Sequence, residues 1–109
     1  MTTEQDILRF MGLARRAGKI ASGSDSVIGA LEDGQAKLLI ISKDCSPNTV
    51  NRILDSITYE IPMYRFSQMN DIGHAIGTAP RGVLAITDEG FARKLDMKLT
   101  DYKDEEDIS

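Results

Sequence analysis

Apolar positions recur along this chain at two periods, and the alternation between them lays out the elements. Ile7, Leu8, Met11, Leu13 and Ala14 fall at helical spacing up to Ala17, and Gly18 is a natural stop. Thr2 and Gln5 stand ahead of them at capping-box spacing. Lys19 to Ser22 reads as a short strand, and Gly23 follows it at once. Ser24 or Asp25 can cap a second helix whose inner face carries Val27, Ile28, Ala30 and Leu31, with Gly34 closing it. Lys37 to Ser42 holds the run Leu38-Leu39-Ile40-Ile41, the pattern of a strand covered on both faces.

The second half repeats the scheme. Ser46-Pro47 is a cap followed by proline at the first helical position, and Val50, Ile53, Leu54 and Ile57 share one side of the helix that follows. Met63 to Phe66 reads as a third strand. Ser67 is placed to cap a short helix with Met69, Ile72, Ala75 and Ile76, closed by Gly77. Thr78-Ala79-Pro80-Arg81-Gly82 is a loop, and Val83 to Thr87 a fourth strand. Asp88 caps a last helix that steps through Phe91, Leu95 and Leu99. Strands alternating with helices predict an α/β layered domain, with helices on both faces of a small, parallel or mixed sheet. The expected organisation is one domain over residues 1–99 and an acidic tail over residues 100–109.

Composition changes this picture little. A chain of 109 residues with 41% hydrophobic content is sized for one core. Charge is more informative. Residues 1–94 carry eleven basic and eleven acidic residues, whereas residues 95–109 carry two and six. The whole formal charge of -4 therefore sits at the C-terminal end. The low pI leaves nucleic-acid binding by the body open without supporting it. Cys45 is the single cysteine, which fits a reducing compartment. The polar start is unlike a signal peptide, and no apolar run approaches the ~20 residues of a membrane span. The expectation is a soluble cytoplasmic protein with no membrane partner.

Four groups of residues could carry chemistry. Gly23-Ser24-Asp25-Ser26 is either a plain helix cap or a backbone cradle for phosphate, because a helix start presents unbonded N–H groups and a partial positive charge. Arg15, Arg16 and Lys19 form the densest basic cluster; they either complement a helix dipole or contact phosphate. Lys43-Asp44 and Arg81 lie in loops after apolar strands, where open α/β sheets place their sites more often than elsewhere. His74 and Cys45 have no partners at metal-ligand or catalytic spacing and read as ordinary helix and packing residues. Phosphate-loop and dinucleotide fingerprints are absent. The residues point to no catalytic group, no metal site and no cofactor.

Longer stretches carry a resemblance. Gly12-Leu13-Ala14-Arg15-Arg16-Ala17-Gly18-Lys19, Ser22-Gly23-Ser24-Asp25 at a helix start, Gly34 through Asp44, and Ile72-Gly73-His74-Ala75-Ile76-Gly77 before the last strand are similar to the kink-turn-binding ribosomal protein family. That family includes archaeal large-subunit protein seven and eukaryotic large-subunit protein thirty, and the likeness is to its small bacterial branch. It covers roughly residues 8–98, nearly a whole domain. The resemblance implies a three-layer α/β/α sandwich around a four-stranded mixed sheet. It also implies binding to kinked RNA helices whose internal loop holds sheared G·A pairs. Gly23, Ser24, Asp25, Ser26 and Gly29 would then enter the opened groove, and Thr78, Ala79, Pro80 and Arg81 would cover an extruded nucleotide. The usual family pattern reads Gly-Thr-Asn-Glu with Lys three residues later. Asp25, Ser26 and Gly29 stand at the last three of these places, so a weaker or less selective interaction is expected.

The leading expectation is a non-enzymatic RNA-binding protein, ribosomal or ribosome-associated. Its expected partners are structured RNA and ribosomal proteins. The second is a protein-interaction module on the same fold whose RNA face has decayed. A small-molecule or catalytic site at the strand ends ranks third.

Overall fold

The computed structural model describes residues 1–102. Nine elements follow one another: α1 (Glu4–Arg16), β1 (Ile20–Ser22), α2 (Ser24–Glu32), β2 (Leu38–Ile41), α3 (Pro47–Asp55), β3 (Met63–Arg65), α4 (Met69–Ile76), β4 (Val83–Ile86) and α5 (Glu89–Asp101). The strands form one sheet in the order β1-β4-β2-β3. β4 runs antiparallel to both β1 and β2, and β2 runs parallel to β3, so the sheet is mixed.

Successive side chains of a strand point to opposite faces, and here both faces are covered. Leu38, Ile40, Leu84 and Ile86 join Ile7, Met11, Ile72 and Leu95 beneath α1, α4 and α5. Leu39, Ile41, Val83 and Ala85 join Val27, Leu31 and Ile53 beneath α2 and α3. Every residue of β2 and β4 is buried, which accounts for their unbroken apolar runs. The result is the three-layer α/β/α sandwich expected from the sequence.

Several ends differ from the expectation, each for a local reason. The capping box of α1 is Thr3–Asp6 rather than Thr2–Gln5: Thr3 Oγ1 accepts from Asp6 N–H at 3.1 Å, and Asp6 Oδ2 accepts from Thr3 N–H at 3.0 Å. Neither Ser24 nor Asp25 caps α2; Gly23 occupies that place, and no side chain bonds to the helix start. α3 ends at Asp55, where the Ser56 hydroxyl donates to the Arg52 carbonyl, leaving Ile57 past the helix. Ser67 does not cap α4. It sits at φ 59, and the Met69 N–H is taken by the carboxylate of Asp44 at 2.9 Å. The strands are shorter than read by a residue or two at their ends. Thr100 and Asp101 belong to α5, and Asp101 accepts the Thr2 N–H at 2.9 Å. The remainder of the expected acidic tail, residues 103–109, lies outside the described residues.

Candidate nucleic-acid interface

One end of the sheet gathers the polar loops. β1 and β2 finish there and β4 begins there: Gly23 N–H donates to the Val83 carbonyl at 3.0 Å, and Ser42 N–H to the Gly82 carbonyl at 2.9 Å. Asp44 draws the first residue of α4 to the same end. Arg81 N–H in turn donates to the Met69 carbonyl at 3.1 Å. Between these segments lies a groove of about 300 Å³, walled by Gly23, Ser24, Cys45, Thr49, Pro80 and Arg81. Its size is at the lower end of ordinary ligand pockets.

The start of α2 forms one lip. Gly23 adopts φ 88, ψ 156, a region that side-chain-bearing residues essentially avoid. The first intrahelical bond is Val27 N–H to the Gly23 carbonyl at 3.0 Å. The N–H groups of Ser24, Asp25 and Ser26 have no acceptor among the described residues. Arg81 stands directly over this end. A Cβ built on Gly23 would meet its Nε at 3.9 Å, and that Nε donates to Ser22 Oγ at 3.4 Å. A second donor, Nη1, reaches the Pro80 carbonyl at 3.3 Å. A guanidinium beside the positive end of a helix is electrostatically unfavourable on its own. Three unbonded N–H groups and one cation converging there make a place for an anion.

The other lip is the loop of Thr78, Ala79, Pro80 and Arg81. It folds back along α4, with Thr78 N–H bonded to the Gly73 carbonyl at 2.8 Å. Gly73 makes this possible. A Cβ there would lie 2.4 Å from the Ala79 carbonyl oxygen and 2.8 Å from Pro80 Cα.

Asp25 is exposed, and its carboxylate is met by Arg52 of α3 at 3.3 Å. Ser26 is exposed on the same turn. Gly29 lies one turn further along α2, with nothing within 4 Å of the Cβ it lacks. Lys43 reaches this end of the sheet through its backbone, whose N–H donates to the Ser67 carbonyl at 2.8 Å and whose carbonyl accepts from Arg65.

The basic cluster does not join them. Lys19 N–H donates to the Ala14 carbonyl, and the Lys19 carbonyl accepts from Thr87 N–H, at the far end of β1 and β4. The four steps from Lys19 to Gly23 span about 13 Å at ~3.3 Å per residue. Arg15 and Arg16 end α1 on that far side. Thr49 and Met69 carry no site signal in the sequence, and Cys45 reads there as a packing residue, yet all three wall the groove. Ser46 was the available signal, since its cap starts α3 at this end. Cys45 is buried, and burial pushes its thiol up.

Asp44 supplies a pH handle. The Met69 N–H bond holds its carboxyl below the ordinary value of about 3.9. A lowered folded pKa gives stability that is present above the unfolded value and lost as pH falls through the folded one. Acid below about pH 3.9 is therefore expected to loosen the start of α4. Protection of the Met69 amide against exchange, measured relative to its intrinsic rate, should fall there in the parent and be low at every pH in Asp44→Ala.

These features define a three-layer α/β/α domain with an uncapped, cation-flanked helix start beside a groove of about 300 Å³. The chain belongs to the Ribosomal protein L7Ae/L30e/S12e/Gadd45 family, whose model matches residues 5–96. It is 40% identical over 87 residues to the RNA-binding protein YlxQ of Bacillus subtilis, covering 79% of this chain and 87% of the relative. It is 32% identical over 93 residues to the large ribosomal subunit protein eL8 of Thermoplasma volcanium, covering 84% and 77%. A solved structure of a Bacillus halodurans protein of unknown function superposes with TM-score 0.80 at 35% identity, covering 86% of this chain and 96% of that one.

Proposed function

We propose that this protein binds structured RNA, of the kink-turn type, at the Gly23 end of its sheet. The observation that carries the reading is the start of α2. Its first N–H groups are unbonded, no side chain caps it, and Arg81 lies over Gly23. The names of two relatives, an RNA-binding protein and a large-subunit ribosomal protein, support the same reading. Backbone N–H groups of Ser24, Asp25 and Ser26 would hold phosphate and base edges. The groove under Pro80 and Arg81 would take an extruded nucleotide, with the loop from Thr78 to Arg81 as its cover. In this reading the protein is non-enzymatic, works on or near the ribosome, and meets ribosomal proteins in the cytoplasm. Arg15, Arg16 and Lys19, at the far end of β1, would add general attraction for RNA rather than contacts to the kink.

The test is a titration at two salt concentrations. One RNA carries an internal loop with tandem G·A pairs; the other is the same duplex fully Watson–Crick paired. The reading expects the looped RNA to bind at least ~30-fold tighter, or about 2 kcal/mol. Equal affinities would sink it.

Gly29 gives a second prediction. The space where its side chain would stand is open, and glycine inside a helix costs roughly 0.5–1 kcal/mol relative to alanine. Gly29→Lys should therefore stabilise the protein by about that amount. It should also strengthen binding to the looped RNA and steepen the salt dependence by about one unit, as one added phosphate contact does. Thermal melts and titrations at several salt concentrations would read both effects.

A further inference from the structure

The exposed edge of α2 carries an ion pair that bridges two helices. Arg52 Nη2 stands 3.3 Å from Asp25 Oδ1, with the two side chains 57% and 96% exposed. Ion pairs this exposed contribute little to stability, so folding alone gives small reason for the arrangement. Arg52 lies in the last turn of α3, where a cation complements the helix dipole. Its head group nevertheless reaches across to α2 instead of its own last carbonyls. Asp25 engages one of the five guanidinium N–H groups, and the other four have no partner among the described residues.

Position adds to this. Thr49 walls the groove, and Arg52 is three residues on, so the two share a face of α3. The guanidinium thereby extends the groove wall toward the start of α2. Gly29, four residues after Asp25 on the same face of α2, leaves the ground beside the pair open. An ionised carboxylate only accepts hydrogen bonds, and alone it would repel a phosphate. With Arg52 it becomes a neutral unit that offers an acceptor beside several donors.

We propose that Arg52 contacts RNA: it aims the Asp25 carboxylate at the N–H edge of a guanine and itself donates to the phosphate beside that nucleotide. The cation at this edge is thus delivered from α3, where α2 has only Gly29. The inference rests on the RNA-binding reading above and deepens it.

The experiment compares the parent with Arg52→Gln, Arg52→Lys and the double variant Arg52→Gln with Gly29→Lys. Each is titrated with the looped RNA and with the fully paired duplex over a series of salt concentrations. Arg52→Gln should weaken the looped RNA at least ~10-fold and lower the salt slope by about one, with duplex affinity and melting temperature nearly unchanged. Arg52→Lys should keep the slope yet recover only part of the affinity, because an ammonium is a point charge without the planar fork. The double variant should regain the slope. If the parent prefers the looped RNA and Arg52→Gln matches it in affinity and slope, the role of Arg52 is overturned while RNA binding stands. If the parent shows no preference for the looped RNA, the underlying reading falls and this inference with it.

Discussion

Replacing Gly73 by alanine is expected to lower both the stability of the protein and its affinity for RNA. The added methyl group would sit 2.4 Å from the Ala79 carbonyl oxygen, 2.8 Å from the Ala79 carbonyl carbon and 2.8 Å from Pro80 Cα. All three obstacles are backbone, so no rotamer change relieves the contact. Gly73 is buried in the middle of α4 and accepts the Thr78 N–H bond, so the loop must lift away. Overpacking of this kind costs about 1–3 kcal/mol, which in a domain this small lowers the melting temperature by roughly 5–15 °C. The lifted segment is the one that walls the groove. Binding of the looped RNA should weaken at least ~10-fold, or about 1.4 kcal/mol, with duplex binding little changed. A circular-dichroism melt and a titration read the two effects. An unchanged melting temperature would show that the loop accommodates the methyl group.

Gly23→Val should weaken RNA binding strongly while leaving the domain folded. Space is not the obstacle, since the nearest heavy atom to the added Cβ is Arg81 Nε at 3.9 Å. The obstacle is the backbone. At φ 88 and ψ 156 a side-chain-bearing residue pays about 1–3 kcal/mol of strain, and β-branching restricts valine further. The chain escapes by turning the start of α2, which carries the Ser24, Asp25 and Ser26 N–H groups away from Arg81. Gly23 lies outside both core clusters, so the folded state persists with a modest loss of stability. Affinity for the looped RNA should fall at least ~30-fold, or about 2 kcal/mol, with the far-ultraviolet spectrum retained. Parent-like affinity from a folded variant would remove Gly23 from the interface.

Much of the layer architecture was legible because burial is written into local patterns. The Leu38–Ile41 run fits a strand covered on both sides, and Ser46-Pro47 and Asp88 cap the helices they precede. What escaped local reading depends on contacts between distant residues. Asp44 receives the first N–H of α4 from 25 positions away, so Ser67 looked like the cap. Arg52 meets Asp25 across 27 positions, and no spacing rule joins two helices. Gly73 is set by the return of the loop against it, a contact that no local pattern announces.

The site shows the same division. The Gly23 end was recognisable from its residues and their order. Its link to Arg15, Arg16 and Lys19 was suggested by closeness in sequence, yet an extended strand carries the chain ~3.3 Å per residue and sets them at opposite ends of the sheet. In their place the structure brings Arg81 over Gly23 from the loop that leads into the neighbouring strand, β4.

The most direct test of the account is amide chemical-shift mapping of nitrogen-15-labelled protein with the looped RNA. The largest shifts are expected on Gly23 to Gly29 and Thr78 to Arg81, with smaller ones at Thr49 and Arg52. Lys19 and the end of α1 should respond weakly. Shifts centred on Arg15, Arg16 and Lys19, with the Gly23 amides unmoved, would contradict it.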